Sequence, residues 1–456
     1  MSAAESDHVE VAVVGAGSVG IAVAYYLVAQ YGIRRLALID ERDPMSLTSA
    51  QSGENYRNWW PHPVMTAFTD HSISLLEEID RLSGGRLNMT RSGYALVSRR
   101  NRPQDLIDGL YRGYGEQSTR VRVRESTLTD YEPPCRRPWS VAPDGVDVLL
   151  DQALIRQTFP SFAHDVATVI HIRRAGSISA QQLGAIMLDT MRASGVRVQR
   201  AKVRSITTGP PFELELTSER GRQRMKADCI VNAAGPFIRD IGAMLGEDLP
   251  VRCVYQQKIA FEDRQRAIPR ELPFTIDLDM QRIPWTDDDR DLLAADPDTQ
   301  HLVLPMAGGI HCRPDGPVDG GWIKLGWAYN ERATDPHQED PFDPNFPDVV
   351  LRGASRLHPS LASYIGRLPR GTHRYGGYYT MTGENWPLIG RMRSPGAYIA
   401  GALAGYGTMA ACAAGQLCAA WVTDSPRPEY ARLLSNERSS NSALIAELVA
   451  LGNGSL

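Results

Sequence analysis

The chain has 456 residues, enough for a large core and for two intertwined domains rather than one. Lys and Arg number 49 against 53 Asp and Glu, a net charge of −4, which argues against nucleic acid or an anionic membrane surface as the main partner. Hydrophobic residues make up 43% and charged residues 22%, so the bulk is not disordered.

Six cysteines without a CxxC pair and ten histidines without an HExxH group predict no disulfide framework and no metal site. A reducing, cytoplasmic setting follows as the expectation. The opening MSAAESDHVEVAVV has no basic segment ahead of an apolar one and does not read as a signal peptide.

Glu10–Val14 reads as a short buried strand. It runs directly into Gly15-Ala16-Gly17-Ser18-Val19-Gly20, a GxGxxG turn, and residues 18–30 then show helical apolar spacing. Gly15 permits the tight turn, Gly17 lets a pyrophosphate approach the backbone, and Gly20 lets the helix pack close to the sheet. The helix N-terminus, with Ser18 and Val19, offers N–H groups and a positive dipole to phosphates. A second strand, Leu36–Ile39, ends at Asp40-Glu41. Asp40 follows Gly20 by twenty residues, suits a ribose diol and disfavours a 2′-phosphate.

Further alternating βα units, usual in NAD dehydrogenases, do not follow. Instead comes a polar loop, residues 46–55, that includes Ser52 and Gly53, and then a helix over 66–82. Downstream, a helix is expected at 180–194, then one strand carrying Val198 and Val203, then an apolar strand ending in Ala233-Ala234-Gly235. A backbone so lined suits close passage under a flavin's ribityl arm. The stretch 284–297, with Asp287, Asp288, Asp289 and Asp291, reads as a solvated surface loop.

Residues 397–422 carry no charge, but ten alanines and an early Gly405-Tyr406-Gly407 turn favour strand, loop and buried helix over a membrane span. Thr408 and Met409 open that helix. Its loop N–H groups suit a flavin pyrimidine. The tail from 436 reads as a polar linker and a helix over 442–451.

VVGAGSVGIAVAYYLVAQYG…LALIDERDP, GSISAQQL, IVNAAGPF, TGENWPLIG and IAGALAGYG together resemble the D-amino-acid oxidase/sarcosine oxidase/glycine oxidase superfamily of FAD-dependent oxidoreductases, across residues 9 to about 424. The resemblance implies an α/β fold: a discontinuous Rossmann-like FAD-binding domain (1–95, 160–250 and 370–435) with a substrate domain on a mixed β-sheet (96–159 and 251–369), ahead of the tail 436–456. It implies hydride transfer from the carbon beside an amine to FAD, with O₂ reduced to H₂O₂. The alternative is a dehydrogenase of the same fold that passes electrons to a quinone or a protein. Monomer and homodimer both stay open.

Lys324, in Gly321-Trp322-Ile323-Lys324-Leu325-Gly326-Trp327, is similar to the lysine that sarcosine oxidases hold over the flavin, a fixed charge where O₂ gains electrons. Arg57, in Gly53–His62, occupies the place of an arginine that relatives use for a substrate carboxylate. Trp59 and Trp60 are candidate walls for an apolar or aromatic substrate; the alternative is that both pack the core and Arg57 makes a surface ion pair. Tyr406, Tyr255, Tyr378 and Tyr379 are candidate pocket residues. Two departures stand out. Met409 replaces a carboxylate-binding lysine, so a larger, more apolar or differently anchored amine is expected. Gly377 stands near the covalent flavin cysteine of that branch, so FAD is expected to be non-covalent.

Overall fold

The computed structural model describes residues 7–135, 138–317 and 319–450. The expectations for the first six residues and for Leu451 lie outside them. Two large sheets organise the chain. The first has eight strands, and five of them run parallel: Arg197–Arg200, Leu36–Asp40, Asp7–Val14, Gly221–Asn232 and Ala397–Gly401. Central parallel strands are covered on both faces, which is why VAVV is apolar at every position rather than at alternate ones.

The helix Ser18–Ala29 covers one face, with nine of its twelve residues buried. It packs against Gly407–Val422, where thirteen of sixteen residues are buried. Small side chains let the two backbones close up: a Cβ on Gly415 would fall 2.6 Å from the Ala22 carbonyl carbon. A helix apolar all round is a buried helix. The uncharged stretch is thus strand, turn and core helix, and no helix among the described residues is long and apolar enough to cross a membrane.

The second sheet has nine strands, in the order His373–Thr382, Val251–Glu262, Trp322–Gly326, Ile310–Pro314, Phe274–Asp277, Tyr94–Ser98, Thr168–Ile172, Val146–Leu149 and Val121–Arg124. It is mixed, with parallel pairing only at Phe274–Asp277 on Tyr94–Ser98 and at Val121–Arg124 on Val146–Leu149. Side chains alternate between its faces. Ile259, Phe261, Ile323 and Leu325 meet the helix Phe346–Leu357 in one core. Lys258, Lys324, Arg313 and His311 share the opposite face by register. Thr168–Ile172 and His373–Thr382 fall within the expected pieces 160–250 and 370–435, yet pair in this second sheet. An apolar run reads alike in either sheet, so local pattern does not assign the partner.

Three local expectations are corrected. The single strand through Val198 and Val203 is two, Arg197–Arg200 and Lys202–Thr207, which break at Ala201 and pair with different neighbours. The acidic stretch is not a loop: Asp287–Ala295 is a helix whose N-cap Thr286 accepts the Asp289 N–H at 3.1 Å. Three of its four aspartates, Asp287, Asp288 and Asp289, sit in the first turn, where the helix dipole favours negative charge. The start of the tail is not simply a polar linker. The Arg438 side chain is fully enclosed and holds Glu384 at 2.8 Å and the Trp386 carbonyl at 2.9 Å, which pins the 383–387 turn. The helix Ser442–Ala450 follows.

Candidate functional site

A cavity of about 320 Å³ opens at the carboxyl ends of the first sheet's parallel strands. Gly15, Gly17, Asp40, Glu41, Val203, Ala234 and Gly235 all line it, so the structure brings together sequence-selected residues from three distant stretches. Ser18, Val19 and Gly20 form the first turn of the adjoining helix. The cradle is tight: a Cβ on Gly15 would fall 2.2 Å from the Ala233 carbonyl oxygen, and one on Gly20 would fall 1.9 Å from the Gly15 carbonyl oxygen. Shape, glycine turn and helix N-terminus fit the adenosine diphosphate half of FAD.

Asp40 serves the protein's own backbone as well. One carboxylate oxygen accepts the Ala16 N–H at 2.7 Å and the other accepts the Arg42 N–H at 2.9 Å, leaving further lone pairs for a ribose. Glu41 is tied to Lys202 at 2.9 Å and Arg42 at 2.7 Å, and its carboxyl is held below the ordinary range against the opposing effect of burial. Ser49 was not singled out by the sequence. Its hydroxyl accepts the Ser18 N–H at 3.0 Å and so reaches the helix N-terminus from a polar loop without any motif.

The same loop continues to the second sheet. Ser52 Oγ accepts the Glu54 N–H at 2.9 Å and the Thr408 hydroxyl at 2.9 Å, which joins two of the expected cofactor segments. The Gly53 carbonyl accepts Arg313 at 3.0 Å. Glu54, also unselected, is the hub: it accepts the Ala180 N–H at 3.1 Å and pairs with Lys324 at 3.2 Å. Lys324 pairs equally with Asp315 at 3.2 Å, and Asp315 meets Arg313 at 2.9 Å. These cations hold the Asp315 carboxyl below its ordinary range despite burial.

Arg57 ends the segment. It is buried, its guanidinium lies 4.3 Å over the Trp60 ring, and burial brings its pKa down to about 10. Trp60 meets Tyr406 edge-on at 5.1 Å, whereas Trp59 belongs to a separate core cluster under the second sheet. His62 caps the helix Pro63–Leu82 by accepting the Val64 N–H at 3.1 Å. Met409 is core, and its carbonyl accepts Ser72 at 2.6 Å. Gly405 lies against the Tyr379 ring, 2.6 Å from where its Cβ would be, and Gly407 opens the helix.

The pocket tyrosines divide by face. Tyr379 stands with Lys258 on the side turned to the loop. Tyr255 and Tyr378 project from the other side and together hold Asp340, at 3.2 and 2.8 Å. Gly377 leaves room at the loop face, where a Cβ would sit 3.3 Å from Gln51 Cβ. Lys258 went unnoticed because a lysine within an apolar strand carries no motif.

A profile of the family described as FAD dependent oxidoreductase, DAO, matches residues 10–421. The mitochondrial dimethylglycine dehydrogenase of Rattus norvegicus is 25% identical over 279 residues, which are 60% of this chain and 29% of that one. The chain thus spans under a third of that relative's length. Among solved structures, L-proline dehydrogenase from P. horikoshii is similar at a TM-score of 0.69 and 16% identity over 95% of this chain and 98% of that one. Glycine oxidase from Geobacillus kaustophilus is similar at 0.66 and 16% over 94% and 98%. NikD, an amino acid oxidase of nikkomycin biosynthesis, is similar at 0.69 and 17% over 94% and 98%. These likenesses establish the fold.

Proposed function

The chain belongs to the DAO family of FAD-dependent oxidoreductases, and from that premise we propose that it is an amine or amino-acid oxidase with non-covalent FAD. When bound, FAD supplies a two-electron acceptor for a hydride from the carbon beside nitrogen and returns the electrons to O₂ as H₂O₂. The observation that carries the reading is the continuity of residues 48–57. Thr48 and Ser49 line the nucleotide cleft, Glu54 holds Lys324, and Arg57 stands at the aromatic wall of Trp60 and Tyr406.

The residues take distinct tasks. The Gly15–Gly20 turn, Asp40, Glu41, Val203, Ala234 and Gly235 hold the nucleotide. Ser52, Gly53 and the Gly405–Met409 loop-to-helix turn would hold the ring system through their backbone and hydroxyl groups. Arg57 binds a substrate carboxylate by charge-assisted hydrogen bonds, while Trp60 and Tyr406 exclude water from the reacting bond. Lys324 keeps a positive charge where O₂ gains electrons. The Tyr406 hydroxyl is kept protonated by burial and is a positioning group rather than a base.

The deciding experiment is anaerobic titration of the FAD-loaded protein with a panel of primary and N-methyl amines, with and without carboxylates. Bleaching of the flavin bands by some member is the expected result, and failure by all of them rejects the reading. Arg57→Ala is expected to raise the half-saturating concentration of a carboxylate-bearing amine by about ten- to a hundredfold, the worth of one charge-assisted contact. An amine lacking a carboxylate should be affected far less. Acid precipitation should leave a white pellet and a yellow supernatant, since Gly377 offers no thiol. Colour that stays with the pellet contradicts non-covalent binding.

A second reading, electron transfer to a quinone or a protein, is favoured by the name of the 25%-identical dimethylglycine dehydrogenase. Stoichiometric peroxide release under air selects the first reading; turnover only with an added quinone selects the second.

A further inference from the structure

Two cationic side chains at this site have no carboxylate partner among the described residues. Arg57 is 5% exposed and Lys258 is 7% exposed. The Arg57 Nε has no hydrogen-bond partner. Lys258 Nζ makes one long contact, 3.5 Å from the Gln51 carbonyl oxygen, and stands 5.6 Å from the centre of the Tyr379 ring. Contact with an aromatic ring recovers only a small part of what desolvating an ion costs, so the rings do not offset it.

Neighbouring charges offer no relief. Lys324 and Arg313 are matched by Glu54 and Asp315, two cations to two anions. His311 lies in register with Gly326, which is itself in register with Lys258. Burial, and then the Lys258 charge, bring the His311 pKa down to about 4, so it is neutral at physiological pH and adds nothing to either side.

Aromatic rings stand beside both unmatched cations. Arg57 lies on Trp60, and Trp60 meets Tyr406. Gly405, the residue before Tyr406, lies under Tyr379, and Tyr379 faces Lys258. Two unmatched cations set among aromatic rings are complementary to a molecule with an apolar middle and two negative ends.

We propose that the substrate is an amine bearing two carboxylates, one bound by Arg57 and the other by Lys258, which makes Lys258 the specificity-determining residue. This rests on the amine-oxidase reading above. Lys258 then supplies an anion site from the second sheet, where the Met409 position on the C-terminal helix supplies none. Removing its charge should cost affinity only for ligands that possess the second carboxylate.

The test uses the FAD-loaded protein and unreactive probes. Glutarate and butyrate, which share a three-carbon chain and differ by one terminal carboxylate, are titrated by calorimetry into the parent protein and into Lys258→Met and Lys258→Arg. The parent should bind glutarate at least about tenfold more tightly than butyrate. Lys258→Met should abolish that preference and leave butyrate within about threefold, and Lys258→Arg should keep it. Equal affinities in the parent overturn the proposal, even if Lys258→Met does not fold. A Lys258→Met protein that loses both ligands alike also overturns it, and assigns the lysine to the cofactor or to packing. The amine panel reports separately: if no amine bleaches the flavin while the glutarate preference holds, the oxidase reading fails and the two-anion site stands.

Discussion

Gly17→Ala should leave the fold standing and weaken FAD binding by about ten- to a hundredfold, the consequence of one misplaced methyl group in a tight contact. The structure separates the three glycines of the turn by what surrounds each. Gly17 has φ −77° and ψ −178°, an extended conformation open to any residue, and its added Cβ would meet only Ser49 Oγ at 3.1 Å. Within the protein alone, the substitution costs about 1 kcal/mol or less as a poorer helix cap. What it obstructs is the approach of a pyrophosphate to the backbone. Gly15→Ala is the contrasting control: φ is +110° and the Cβ would lie 2.2 Å from a carbonyl oxygen, so the strain is on the order of 3 kcal/mol with no ligand present. Thermal unfolding without FAD should therefore drop for Gly15→Ala and barely move for Gly17→Ala. Parent-like FAD affinity in Gly17→Ala would remove the phosphates from this turn.

That contrast also shows what the sequence makes legible. The nucleotide cleft is written in short-range terms: a strand, a glycine turn, a helix and an acid within about thirty residues. Each requirement is local, so the residues could be named before any packing was known. The facing half of the site depends on register between strands far apart in sequence. Lys258 pairs with Tyr375 on one side and Gly326 on the other, and nothing in VRCVYQQKIAFE fixes which face of the strand meets the loop. Tyr378 and Tyr379 look alike in sequence, yet one holds Asp340 and the other faces Lys258. Glu54 carried no motif either. Its role comes from a left-handed backbone (φ 59°) that places its carboxylate between the start of the helix Ala180–Ala193 and Lys324. Function-bearing charge in this chain is legible where the chain itself juxtaposes it; where two sheets do, Lys324 is legible only through the resemblance of its own strand, and Glu54 and Lys258 only in the structure.

The largest kinetic effect is expected at that juxtaposition. Lys324→Met should slow reoxidation of the reduced enzyme by O₂ by about a hundredfold or more, the size of effect seen when a charge-stabilising group is removed at a reacting centre. Reduction by substrate should change only a few-fold. The sign follows from the local count. Lys324 and Arg313 balance Glu54 and Asp315, so the cluster is neutral, with Lys324 placed between the two carboxylates. Deleting Lys324 does more than remove a charge: it leaves one cation against two carboxylates, a net negative site where negative charge must develop. That reasoning makes a further demand. Glu54→Gln added to Lys324→Met restores the balance to one against one and keeps an oxygen to accept the Ala180 N–H. The double variant should regain part of the lost reoxidation rate, and the two substitutions should be far from additive. Stopped-flow measurement of both half-reactions decides the point. Equal slowing of reduction and reoxidation by Lys324→Met would refute the O₂ role. Reoxidation slower still in the double variant would refute the charge-balance account and leave Glu54 as a structural bridge alone.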